Sequence, residues 1–276
     1  MDTPRPSPLA GMWYPADSQK LRLEIEHYLE STPTRVDAGS VIGLLAPHAG
    51  YRFSGSVAAC AFRLLQGREL DTVVVIGPLH RPIPEVTGTV ITSAHRAYQT
   101  PFGSITVDHD LIYQINEQIP LAYCQFDSEH SVEIELPFLQ VVLRSDFKLV
   151  PLMLRDQSLA TAQQLSAALA ELLVNRNALI VASSDLSHFY SDDQAQKLDR
   201  RVLQAVAHMD AASVIALDEA GQGFACGRGA IATTILATSA LGAGRSVILN
   251  HSTSGAINGQ YSRVVGYGAA AFFHDA

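Results

Sequence analysis

The chain has 276 residues, a length that suits one large α/β domain or two small ones. Apolar residues make up 47% and charged residues 17%, which supplies a core and is unlike the composition of a disordered chain. The formal net charge of −8 argues against nucleic-acid and membrane-surface partners, which want stripes of Lys and Arg, and leaves small substrates open.

In chain order, PRPSPLAGMWYP reads as an extended arm, residues 1–15, laid over the domain and anchored by Trp13 and Tyr14. Residues 16–29 carry Leu21, Ile25, Tyr28 and Leu29 at helical spacing. SVIGLLAPHAG, DTVVVIGPLHRP and NALIVASSDLSH then share one grammar: a short apolar or β-prone run breaks into a small-residue turn. Such runs fit strands buried on both faces of a parallel sheet, and FKLVPLML is a fourth. Helices are predicted over 54–65, 131–143, 158–174, 192–209, 211–220 and 229–241, with Pro137 set to kink or shorten the second. TGTVITSAHRAYQTPFGSITVD reads as a hairpin or sheet extension around Pro101-Phe102-Gly103, and SVILNHS with SRVVGYGAAAFFH as two late antiparallel strands. The expected fold is a single α/β domain spanning 1–276, with a mostly parallel, doubly wound sheet and an antiparallel extension.

The turns hold the chemistry. His48, His80, Asp185 and His188 all follow predicted strands, and ligands of open α/β sheets sit at the carboxyl ends of strands. A lone histidine there is an ordinary hydrogen-bonded loop residue; three histidine-bearing turns at equivalent ends suggest one site. Cys226, just before a predicted helix and near Arg228, has two features that favour a thiolate, although most cysteines are small buried hydrophobes. Two imidazoles and a thiolate make a three-ligand site with open positions, suited to zinc, copper or ferrous iron alike. In FDSEHSVEIELPF, Glu129 and His130 are either a capping turn, with Ser131 as the cap, or an acid/base pair facing the site. Glu133 and Glu135 are expected on a solvated helix face. SSDLSH also admits a hydrolase reading with Ser183 or Ser184, but the GxSxG elbow is absent. Cys60, Cys124 and Cys226 show no CxxC spacing, Met1 to Arg5 lack the marks of a secretory leader, and no apolar run reaches the roughly 18 residues of a membrane span. A reduced, cytoplasmic protein is expected.

GMWYPA, LLAPHAGYRFSG, IGPLHR, TPFG, DSEHSVEIELPF, SSDLSH and CGRGAI occur here in the order seen in the Memo family, whose microbial members are known as AmmeMemoRadiSam system protein B. The chain resembles that family over nearly its whole length. Memo proteins in turn resemble the class III extradiol (LigB-type) non-haem iron dioxygenases in fold. The resemblance implies metal ligation by His48, His80 and Cys226, with Asp185, His188, Glu129 and His130 lining the same pocket. It implies iron or copper as the metal; Fe(II) is expected first, copper next, and zinc, which the donor set also suits, last. The dioxygenases complete their triad with a glutamate where this sequence has Cys226; thiolate is softer and more easily oxidised than carboxylate. Metal binding and redox chemistry on a small, phenolic substrate are therefore expected ahead of ring cleavage, with His188 as acid/base oriented by Asp185. The alternative is a non-catalytic binding module serving a protein partner in the radical-SAM-associated system.

Overall fold

The computed structural model describes residues 3–32, 41–83 and 85–274, so the first two residues of the expected arm lie outside it. The strands are β1 (Val41–Ala46), β2 (Thr72–Pro78), β3 (Val90–Ser93), β4 (Ala97–Thr100), β5 (Gly103–Thr106), β6 (Leu121–Cys124), β7 (Lys148–Leu154), β8 (Ala178–Ser183), β9 (His188–Tyr190), β10 (Ala243–Thr253) and β11 (Val264–His274). The helices are α1 (Ser18–Ser31), α2 (Tyr51–Phe62), α3 (His109–Gln118), α4 (Leu136–Val142), α5 (Leu159–Leu173), α6 (Asp192–Ala207), α7 (Ala211–Glu219), α8 (Arg228–Ala240) and the single turn α9 (Gly255–Asn258).

Nine strands form one sheet in the order β10-β11-β1-β8-β2-β7-β3-β6, with β9 joined to β11. β1, β8, β2 and β7 are mutually parallel neighbours. β11 runs antiparallel to β1, β10 and β9, which gives the antiparallel extension. Helices cover both sides, and β4 with β5 forms a separate hairpin around Pro101-Phe102-Gly103. The molecule is thus an α/β domain with a mostly parallel sheet, as its alternating apolar runs imply. Every residue of β2 is buried, and at about 1.5–3 kcal/mol per buried Val or Ile such runs drive the sheet together. Among the described residues no helix is long and apolar enough to cross a membrane.

The segment 131–143 departs from expectation. The helix expected over 131–143 begins only at Leu136, after a 3₁₀ turn over Glu133–Glu135. Pro137 lies in its first turn, where a missing N–H costs nothing, so the proline sets the start of the helix. Ser131 does not cap it; the Ser131 hydroxyl donates to the Pro78 carbonyl at 2.8 Å. Nor are Glu133 and Glu135 solvated: both are buried. Glu133 is the knot that holds the N-terminal arm. It accepts from Arg5 Nη1 at 2.5 Å, Ser7 Oγ at 2.6 Å and Tyr14 Oη at 2.8 Å. Arg5 also pairs with Asp127 at 2.6 Å and donates to the Glu129 carbonyl at 2.8 Å. The arm therefore clamps the loop that carries Glu129 and His130.

Removing one partner of a buried ion pair leaves the other charged and uncompensated. Glu133→Ala is expected to lower the unfolding free energy by roughly 3–5 kcal/mol, read as a shift in urea midpoint. A shift within error would mean that the arm contributes nothing to stability.

Candidate metal centre

The parallel register aligns three turns. Ala46 of β1 faces Ser183 of β8, and Ile76 of β2 faces Ala182. His48, His80 and Asp185 each follow within two residues of a strand end, on one edge of the sheet. Cys226 arrives from the other direction, two residues before α8. One donor atom each from His48, His80 and Cys226 lies within 4.8 Å of the others. His48 Nε2 is 3.0 Å from Cys226 Sγ, and the His48 and His80 rings meet edge to face with centroids 5.0 Å apart. Bonds of about 2.0–2.3 Å to a common ion need donors at this kind of spacing, so the three residues fit one cation.

A family model described as Memo-like protein matches residues 5–271. The chain belongs to the Memo family. It is 36% identical to a MEMO1 family protein of Methanopyrus kandleri, over 96% of this chain and 97% of that one. It is 33% identical to a MEMO1 family protein of Methanosarcina acetivorans, over 95% and 96%, and 30% identical to one of Nitrosopumilus maritimus, over 96% and 98%.

The orientation of each donor in this Memo chain has a local cause. His80 is fixed by Glu129, whose carboxylate accepts from His80 Nδ1 at 2.9 Å and from the His80 backbone N–H at 2.6 Å. Glu129 also accepts from the backbone N–H groups of His130 and Ser131, at 2.8 and 3.0 Å. Burial works against its charge, but the hydrogen bonds and neighbouring imidazoles win, and Glu129 titrates far below the ordinary range. Four N–H donors leave it little capacity for a metal or substrate. Its geometry orients His80 with the hydrogen on Nδ1, leaving Nε2 bare. Glu129, His80 and His130 also form a second cluster within 4.8 Å, but Glu129 is committed to these hydrogen bonds.

His130 stacks on His80 with centroids 4.4 Å apart and is covered by Trp13 of the arm, also at 4.4 Å. Burial pushes His130 down to about 4, despite the Glu129 carboxylate at 3.2 Å. Burial also depresses His48 well below the usual range, helped by the charges of His130 and His80, and lowers His188. Neutral imidazoles are the form that binds metal.

Two details differ from the sequence reading. Asp185 does not touch the His188 ring: its carboxylate accepts the backbone N–H of His48 at 2.8 Å and is also held by that of Ala49. It braces the His48 turn, and burial pushes it up to about 7. His188 is held instead through Nδ1 to the Leu186 carbonyl at 2.8 Å. The Cys226 thiol is raised rather than lowered, by burial first and the Asp185 charge second, while Arg228 is spent on Asp218 at 2.5 Å. Ser183 faces His48, not His188, and is fully buried, so no hydrolase triad forms. A cleft of about 320 Å³ is lined by His188, Tyr190, Phe224 and Cys226, and of the three donors it touches Cys226.

Gly77 of β2 is what lets the Glu129–Ser131 turn come close. A Cβ there would lie 2.6 Å from Ser131 Cβ and 2.5 Å from its Oγ. Gly77→Ala is expected to cost about 1–3 kcal/mol in urea unfolding, because neither side can yield without moving backbone. Wild-type stability in the variant would mean that the turn is not confined.

Proposed function

We propose that this Memo-family chain is a non-haem metal-dependent oxidoreductase that holds Fe(II) with His48, His80 and Cys226 and acts on a small, phenolic substrate. What carries the reading is the gathering of two imidazoles and a thiol, from turns far apart in the chain, within 4.8 Å. Three protein donors leave positions for water or substrate; iron is put first because the Memo family resembles the non-haem iron dioxygenases in fold, while copper suits the same soft donor and zinc the same ligand number. A role limited to binding a protein partner gives no reason to bring these three donors together.

A redox-active cation held by His48, His80 and Cys226 would supply electron exchange and Lewis acidity. The chain's own residues do the rest. His80, held by Glu129, presents Nε2. His188 donates from Nδ1 to a carbonyl, so its Nε2 is an acceptor, and its ring lines the same cleft as Cys226. Depressed by burial, His188 is neutral near pH 7 and can take a phenolic proton and return it. The faces of Tyr190 and Phe224, stacked with centroids 5.5 Å apart, give an aromatic ring a wall to lie against.

The test is metal analysis of protein prepared without air, with nitric oxide added to probe open positions on ferrous iron. Stoichiometric iron is expected in the wild type and none in Cys226→Ser. Full iron retained in that variant would remove the thiol from the site and the proposal with it.

A further inference from the structure

Ser183 Oγ sits behind the metal-facing edge of His48, with three polar neighbours. They are His48 Nδ1 at 3.0 Å, the Ser131 carbonyl at 2.5 Å and Glu135 Oε1 at 2.7 Å. A hydroxyl has one hydrogen and two lone pairs, so only one of the three can accept from it. The Ser131 carbonyl can do nothing but accept, so the hydroxyl hydrogen goes there. Both other neighbours must then donate. An ionised Glu135 would instead set a bare oxygen against the Ser183 lone pairs at 2.7 Å, in a place closed off from bulk solvent. Donation from His48 puts its hydrogen on Nδ1 and leaves Nε2 bare, 3.0 Å from Cys226 Sγ.

We propose that Glu135 is a positioning residue for the metal centre: as a neutral carboxylic acid acting through Ser183, it holds His48 in the tautomer that aims a bare Nε2 at Cys226. Glu135 is 1% exposed, and burial, its largest influence, drives its protonation equilibrium well above the usual carboxylate range. The arrangement mirrors the one at His80 with its sign reversed. There an ionised carboxylate accepts from Nδ1 directly; here a neutral acid does its work one hydroxyl away, and no net negative charge is added beside His48. The consequence for metal binding rests on the reading of His48 as a ligand, but the tautomer itself does not.

The experiment uses the full chain without metal, labelled with ¹⁵N at histidine, as wild type, Glu135→Gln and Ser183→Ala. Nitrogen shifts report which His48 ring atom carries the hydrogen, and difference infrared spectra between wild type and Glu135→Gln report whether Glu135 is a carboxylic acid. The wild type is expected to carry the hydrogen on Nδ1 and to lose an acid carbonyl band in Glu135→Gln. The glutamine, still able to donate to Ser183, keeps the tautomer. Ser183→Ala is expected to mix the two tautomers and, in a Co(II) titration, to weaken binding roughly 10–100-fold. A wild type with hydrogen on Nε2, or a carboxylate band in place of the acid band, would overturn the proposal. Co(II) failing to bind a wild type that still has the Nδ1 tautomer would support the relay and end the ligand reading instead.

Discussion

Parallel strands begin at one edge of a sheet and end at the other, and this constraint makes the centre possible. The hydrogen-bond register of β1, β8 and β2 leaves no freedom in where their following turns emerge. Residues 48, 80 and 185 are thereby neighbours, however distant in sequence. The sheet supplies placement, but orientation comes from a layer of buried acids behind the turns. Glu129 turns His80, Asp185 braces the His48 backbone, and Glu135 reaches the His48 ring through Ser183.

Those acids face different electrostatic conditions, and the chain uses the difference. Glu129 has four N–H groups on it and stays charged. Glu133 shares Arg5 with Asp127. Glu135 has the Ser183 hydroxyl beside it, and burial pushes its pKa well above the usual carboxylate range. A buried carboxylate is costly unless paired, and each here has its own solution. The arm ties them to the rest of the domain: Arg5 grips the loop of Glu129, and Trp13 lies over His130. The wall of the centre is thus built partly from residues that precede the first helix.

The sequence makes the frame legible because the frame is local. β1, β2, β7 and β8 are apolar runs that end in turns; Pro137, expected to kink or shorten a helix over 131–143, instead sits at the start of α4. α3 carries a local signal too: Asp108 accepts from Leu111 N and so caps the apolar series Leu111, Ile112 and Ile115. β6 and β9, four and three residues long, carry too little pattern to be seen. The convergence of His48, His80 and Cys226 could be framed from strand ends and from family motifs. The roles of Glu133 and Glu135 could not, because their partners Arg5 and Ser183 lie 128 and 48 residues away and no spacing reveals them. A run such as SVEIELPF looks amphipathic, and charge next to a helix looks solvated. What buried these two carboxyls is tertiary. The raised Cys226 thiol has the same origin, since the local features that favour a thiolate are outweighed by burial and by Asp185 in the turn after β8.

The central claim is that two imidazole nitrogens and one thiolate sulfur surround a single ion. X-ray absorption at the iron edge, on protein loaded with Fe(II) without air, tests it directly. The account predicts a sulfur neighbour at about 2.3 Å together with nitrogen or oxygen neighbours near 2.0–2.1 Å. A shell of nitrogen and oxygen alone, with no sulfur contribution, would contradict it.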